Sequence, residues 1–442
     1  MSEARARWEM LNLIRREKFD IILPKAMREN QIDMWIHVMR EGNPDPLAID
    51  LGGHSTLVQL VHQTGYFIFT DRGGDRIERA VLGGYEDVLR HSGVYDIFGP
   101  AEDLRQFVAE RDPKRIAVNM SDWLAVADGL SYTGYLKLVK ALGEEYAERL
   151  VSAEQLITDF RTRRVTSEIV AYGQLGEITR QLLERALSNE VITPGVTTLE
   201  DVSWWMEDQV LARGIGSPFF GPAFGPRVLH STKSEESEYQ SSQYVIQRGD
   251  LLKYDIGFSL MNLGTDFKRI AYVLQEGETA VPPGIQYGWD QALKAGQVIR
   301  KNIKVGRTAG ETEKIIGSAL EEAGFTYIHL TTDPSFGGFP SLEPEEHPIY
   351  PGKTWVSIDC HCVGNTGYGD FASGPSIAGF RQDRAGLTIK PNNLFAFEFI
   401  AATAIPEYGG WKVTFTIEDD AIVTEDGVQW LYPPNSRILL VG

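Results

Sequence analysis

The spacing of apolar and polar positions divides the chain into two parts. Up to about residue 160, short β-rich runs alternate with helical periodicity. IDMWIHVM (32–39), YFIFT (66–70) and RIAVNM (115–120) are rich in β-branched and aromatic residues, whereas SYTGYLKLVKALGEEYAERL (131–150) repeats its apolar positions at helical intervals. This pattern predicts an α/β amino-terminal domain over residues 1–160. TDRGGDR (70–76) reads as a turn between strands. The opening MSEARARWEMLNLIRREKFD predicts a charged helix without the apolar core of a signal peptide. A long helical stretch from Ser152 to Ser188 leads into the second part, residues 161–442.

The second part repeats its own layout. VITPGVTTLEDVSWWMEDQVLARG (191–214) and IKVGRTAGETEKIIGSALEEAG (303–324) each show a Gly, a Thr placed to cap a helix, acidic residues in the first turn and a closing Gly. Gly195 to Gly214 spans 19 residues and Gly306 to Gly324 spans 18. Strand-like segments follow both copies and bear one His and two carboxylates: His230, Asp255 and Asp266 first, then His361, Glu398 and Glu418. An α+β domain of two halves related by a pseudo-twofold is the expected fold.

Composition narrows the chemistry. With 43 Lys+Arg against 61 Asp+Glu the net charge is −18, which argues against a nucleic-acid or anionic-membrane partner and favours metal cations. No apolar run reaches the roughly 18–20 residues that span a bilayer, and a cytoplasmic location is expected. Cys360 and Cys362, the two cysteines, flank His361. A disulfide across one residue would be strained, and strand alternation turns both away from the histidine, so they read as reduced core residues.

GDLLKYDIGFSLMNLGTDFKRIAYVL (249–274) predicts a hairpin that sets Lys253 and Asp255 on one face, with Asp266 and Lys268 together on the return strand. Two neighbouring carboxylates stay ionised when a cation holds both; ion pairing with Lys253, Lys268 or Arg269 is the plainer explanation. Glu398 lies inside the apolar LFAFEFIAATAI and Glu418 inside KVTFTIEDDAIVTEDG, where an acid is costly unless paired, protonated or ligated. Asp359 shares the strand face of His361, and Asp419 and Asp420 are expected to face away or cap the structure. His347, in the proline-rich EEHPIYPG, is a competing ligand on a loop. Four carboxylates and an imidazole suit Mn(II), Fe(II) or Co(II), with Zn(II) also open, and shared carboxylates can bridge two ions about 3.5 Å apart with a hydroxide between them.

At this point the chain resembles the pita-bread metalloenzymes, the peptidase family M24 that includes methionine aminopeptidase, aminopeptidase P, prolidase and creatinase. The resemblance runs from Thr166 to Gly427 and rests on motifs in order: His230; Asp255-x-Gly with Asp266 eleven residues on; His361-Cys-Val-Gly364; Glu398; and Glu418-Asp419 before IVTEDG. Residues 1–160 resemble the amino-terminal domain of the longer, creatinase-like members. The resemblance implies two divalent ions, Mn(II) favoured. Asp255 would bind one, Asp266 and Glu418 would bridge, and His361 and Glu398 would hold the other. It also implies Glu398 as general base, His230 at the substrate and a homodimer.

Four positions depart from the family pattern. Where proline-specific members carry a second His, this chain has Tyr368, then Gly369 and Asp370, in GNTGYGDFASGPSI; either Tyr368 or Asp370 is expected to take over part of its work. Lys268 replaces a Thr and puts a cation beside the metals, leaving a single-ion site open. Thr416 and Phe399 replace an Arg and a Pro. The expected function is a metallohydrolase cleaving a small peptide or amide in the manner of an Xaa-Pro aminopeptidase or prolidase. The alternatives are a metal-dependent lyase or hydrolase of a non-peptide small solute, and a binding protein that has lost turnover.

Overall fold

The structure, a computed structural model, describes the chain except residues 1–2, 56–58, 218–220, 222–223, 231–240, 332–352, 366–372 and 411. It comprises two compact units. The first runs to Ala171 and takes in Met261–Leu263 and the described ends of Asn365–Ser373; the second holds Tyr172–Leu260, Gly264–Gly364 and Gly374–Gly442.

In the first unit the β-rich runs become strands of one mixed sheet. Its members are β1 (Met34–Arg40), β2 (Val61–Thr70), β3 (Glu78–Gly84), β4 (Ile97–Gly99), β5 (Ile116–Val118) and β6 (Leu150–Ser152), ordered β4-β3-β2-β1-β5-β6. Alternate residues Met34, Ile36 and Val38 of β1 meet Ile68 of β2 and Leu138 and Leu142 in one core. Those two leucines come from the helix Tyr132–Leu142, whose Ser131 hydroxyl accepts the Gly134 N–H as a cap. The stretch read as one helix from Ser152 to Ser188 is two, Glu154–Thr162 and Thr166–Ala186, because Arg163 turns to an extended conformation (φ −86°, ψ 117°).

The second unit is built on an 11-stranded sheet. Its strands are β7 (Arg227–His230), β8 (Leu251–Ile256), β11 (Phe267–Val273), β12 (Thr326–Tyr327), β13 (Trp355–Ile358), β14 (Cys360–Cys362), β15 (Ser376–Ile377), β16 (Asn393–Ala404), β17 (Lys412–Thr424), β18 (Gly427–Trp430) and β19 (Leu439–Val441); the tip of the β8–β11 hairpin adds the short pair β9 (Ser259–Leu260) and β10 (Leu263–Gly264). The main path runs β12-β13-β16-β17-β11-β8-β7. One face of β16 and β17, through Phe395, Phe397, Phe399, Phe415 and Ile417, joins a core with Trp289, Ile299 and Ile316 from two helices. Gly296 lets the helix Pro283–Asn302 lie close on that face, since a Cβ there would meet the Phe399 ring at 2.9 Å.

The internal repeat has a physical counterpart in both N-terminal caps. Thr198 opens the helix Leu199–Arg213 in a capping box with Asp201, and Thr308 opens Ala309–Glu322 in the same box with Glu311. Gly195 and Gly306 have left-handed φ of 81° and 87°, and their N–H groups donate to Ile246 O and Ile389 O. Each capping Thr also bridges to the chain entering the following hairpin, Thr198 to Val245 and Thr308 to Thr388. From those anchors Asp255 lies nine residues beyond Ile246, as Glu398 does beyond Ile389. Across each hairpin, Asp255 faces Lys268 and Glu398 faces Glu418. The two halves therefore share one frame.

Candidate metal centre

Strand register sets the charged residues in a single row across the middle of the large sheet. Asp255 on β8 is opposite Lys268 on β11, Lys268 is opposite Glu418 on β17, and Glu418 is opposite Glu398 on β16. His361 joins from β14, opposite Ala396 and so one pleat along from Glu398. Asp266 enters just ahead of β11, where Gly257 permits a close approach: a Cβ at Gly257 would fall 1.8 Å from Thr265 O. The Asp266 N–H donates to the Asp420 carboxylate at 3.1 Å, which fixes the approach of Asp266 to the row.

The carboxylates divide their oxygens between two centres. On one side the Lys268 ammonium donates to Glu398 Oε1 at 2.5 Å and to Glu418 Oε2 at 2.7 Å, and lies 3.3 Å from Asp255 Oδ2. On the other, His361 Nε2 lies 3.9 Å from Asp266 Oδ2, 3.8 Å from Glu398 Oε2 and 3.9 Å from Glu418 Oε1. Two metal–ligand bonds of about 2.1 Å span up to roughly 4 Å. Each of these oxygens stands within that reach of the His361 nitrogen, and the ligand atoms of Asp266, His361 and Glu418, like those of Asp359, His361 and Glu398, lie within 4.8 Å of one another. Glu418 Oε1 is buried without a hydrogen-bond partner, which an ion in this cage would supply. His361 Nδ1 donates to Cys362 O at 3.2 Å, leaving Nε2 as the lone-pair nitrogen turned to the carboxylates. The donor set fits one ion on the His361 side.

The electrostatics follow from burial. Desolvation pushes the Asp266 carboxyl up to about 7, with Asp255 and Glu398 adding to the rise against Lys268. Desolvation, then Asp266 and Glu398, raise Glu418 well above the usual carboxylate range, and desolvation followed by Glu398 does the same to Asp359. Burial alone would lower the Lys268 ammonium, but Asp255, Glu398, Glu418 and Asp266 outweigh it and hold it well above its ordinary value. Burial, then the Arg381 cation, depress His361 to about 3, keeping the imidazole neutral as a ligand must be. These acids crowd protons or cations into the site, and a divalent ion relieves what one lysine does not.

Of the residues singled out from sequence, Asp266, His361, Glu398 and Glu418 come together, with Asp255 beyond Lys268. The backbone of His230 closes β7 opposite Leu251; its side chain, like Tyr368, Asp370 and the competing His347, lies outside the described residues. Cys360 and Cys362 are not joined by a disulfide and are buried in the core behind His361. Asp419 faces away, paired with Arg269 at 2.8 Å. Asp420 does not face away: two residues from Glu418 on a strand, it shares that face, takes the Tyr172 hydroxyl and supports Asp266. Strand period alone carried that signal. Arg381, 3.3 Å from Asp359, was not anticipated and anchors the carboxylate next to His361.

A sheet-borne cluster of buried acids around a neutral histidine defines the donor set of a metal-binding protein. The sequence matches the family model for metallopeptidase family M24 over residues 171–425, more than half of the chain. The chain belongs to that family and is a metallohydrolase with the pita-bread fold. No curated protein matches the sequence significantly. Among solved structures, it is similar to X-Pro aminopeptidase from Thermotoga maritima (TM-score 0.61, 17% identity, covering 94% of this chain and 100% of that one). It is also similar to the prolidase from Pyrococcus horikoshii (0.56, 17%, 96% and 100%) and to an Xaa-Pro dipeptidase from Bacillus anthracis (0.55, 18%, 97% and 99%).

Proposed function

We propose that this chain is an Xaa-Pro peptidase, of the aminopeptidase P or prolidase kind, that works with divalent metal held by Asp266, His361, Glu398 and Glu418. The observation that carries the reading is the cage itself: three carboxylate oxygens 3.8–3.9 Å from a neutral imidazole nitrogen, one of them buried and unpartnered. The names of the three structures above, an X-Pro aminopeptidase, a prolidase and an Xaa-Pro dipeptidase, support the substrate class. Mn(II) is the favoured ion for this oxygen-rich set.

When bound, a divalent ion supplies Lewis acidity, which makes water nucleophilic near neutral pH and polarises an amide carbonyl. The chain's own residues do the rest. Glu398, with one oxygen held by Lys268 and the other turned into the cage, accepts the proton of the attacking water. His361, fixed by its bond to Cys362 O, presents one nitrogen only. Asp420 holds Asp266 through its backbone N–H. His230, Tyr368 and Asp370 are assigned to the substrate, with Tyr368 or Asp370 in place of the family's second His. A homodimer, resting on the family resemblance, and a cytoplasmic location, expected from the sequence, complete the proposal; among the described residues no helix is long and apolar enough to cross a membrane.

The test is turnover of Xaa-Pro dipeptides and tripeptides by the Mn(II)-loaded protein. Cleavage at the imide bond that stops on metal removal and returns with Mn(II) is expected. Full activity in the metal-free protein, or turnover confined to non-peptide amides, would overturn the reading.

A further inference from the structure

We infer that Lys268 serves as the second cation of this centre, so that the site takes one divalent ion where the family resemblance implies two. The inference rests on the metallohydrolase reading and concerns only what fills the Asp255 side of the row.

Three observations converge. First, a second ion would need Asp255 together with the shared oxygens of Glu398 and Glu418. Those are the groups that meet Lys268 Nζ: Asp255 Oδ2 at 3.3 Å, Glu398 Oε1 at 2.5 Å and Glu418 Oε2 at 2.7 Å. One ammonium thus donates hydrogen bonds to two acids and stands in ion-pair reach of the third, the three coming from three strands. Second, the remaining oxygens of the same two glutamates point to His361, and Glu418 Oε1 there has no partner. The lysine saturates one half of each glutamate and leaves the other half open. Third, the hairpin frame places Lys268 opposite Asp255 just as Glu418 is opposite Glu398. An acid on one hairpin thus corresponds to an ammonium on the other.

The ammonium has no easy exit. Its side chain is only 7% exposed, and Lys268 lies between β8 and β17 in the sheet. Withdrawing it for a second ion would bury an unpaired cation, whereas leaving it in place would set a dication against it across shared oxygens. An ion bound with Asp266 and His361 avoids both.

The experiment is metal counting on the full-length protein, incubated with excess Mn(II), desalted and measured by elemental analysis, with the electron paramagnetic resonance spectrum recorded on the same sample. One equivalent per chain and the spectrum of an isolated Mn(II) are expected. Lys268→Thr, which removes the ammonium and opens its space, is expected to raise the count to two and to give the spectrum of a coupled pair. Two equivalents in the unsubstituted protein, or one in a folded Lys268→Thr variant, would overturn the inference. If that variant fails to fold, the count and spectrum of the unsubstituted protein decide alone. No metal in the unsubstituted protein would overturn both this and the metallohydrolase reading. One equivalent without Xaa-Pro cleavage would overturn only the substrate assignment.

Discussion

The two hairpins of the catalytic unit are built alike and charged differently. Each follows a helix capped by a Thr box, and each presents an acid at the same distance from its anchor, Asp255 in the first and Glu398 in the second. Across the first hairpin the partner is Lys268; across the second it is Glu418. The first carries its own countercharge, and its lysine also donates to both acids of the second. The second places like charges opposite one another, a destabilising arrangement unless something positive lies between. Backbone symmetry thus supplies the positions, and one residue decides which half needs metal.

This comparison can be broken at several points. The largest effect belongs to the cage: Glu418→Ala or Asp266→Ala should remove bound Mn(II) and lower kcat/KM on an Xaa-Pro peptide by about 10³-fold, equivalent to roughly 4 kcal/mol. Elemental analysis beside the kinetics shows whether both vanish together; activity without metal would defeat the assignment. Next comes the asymmetry between corresponding positions. Glu398→Ala should lose the ion, whereas Asp255→Ala should keep it, because Asp255 meets Lys268 and not His361. Equal losses would mean that both halves bind metal. A smaller change is expected from Asp420→Ala, which frees the Asp266 backbone: Mn(II) affinity by calorimetry should fall about 10–100-fold, as for other residues that orient ligands. An unchanged affinity would reduce Asp420 to a core residue. The smallest effects are the most symmetrical. Thr198→Ala and Thr308→Ala each remove a capping box and should each cost about 1 kcal/mol in urea unfolding, with metal content unchanged.

Much of this was legible in the chain. Period-2 alternation separates His361 from Cys360 and Cys362, and apolar surroundings mark Glu398 and Glu418 as acids needing a partner. The capping threonines follow from Thr-x-x-acid spacing. The family pattern put Lys268 beside the metals, but which acids it bonds was not legible. Alternation puts Lys268 beside Asp266, but its reach to Glu398 and Glu418 depends on the β11–β17 pairing, which joins residues 150 positions apart. Asp420 illustrates a different loss. Its strand parity with Glu418 was available, but three acids in a row read as a solvated end, and only the buried Tyr172 and Asp266 contacts show otherwise. The break at Arg163 left no mark in the apolar periodicity at all.

The row of paired strands also bears on the order in which the chain can assemble. The hairpin of Asp255 and Lys268 closes a short loop and carries its own countercharge, so it can form early and locally. The longer hairpin of Glu398 and Glu418 cannot settle its facing acids by itself, and the ammonium it needs arrives only when β11 docks on β17. Lys268 therefore ties the stability of the second hairpin to the β11–β17 pairing. A side chain that completes an ion site thus also makes the neutrality of one hairpin depend on correct long-range pairing with the other.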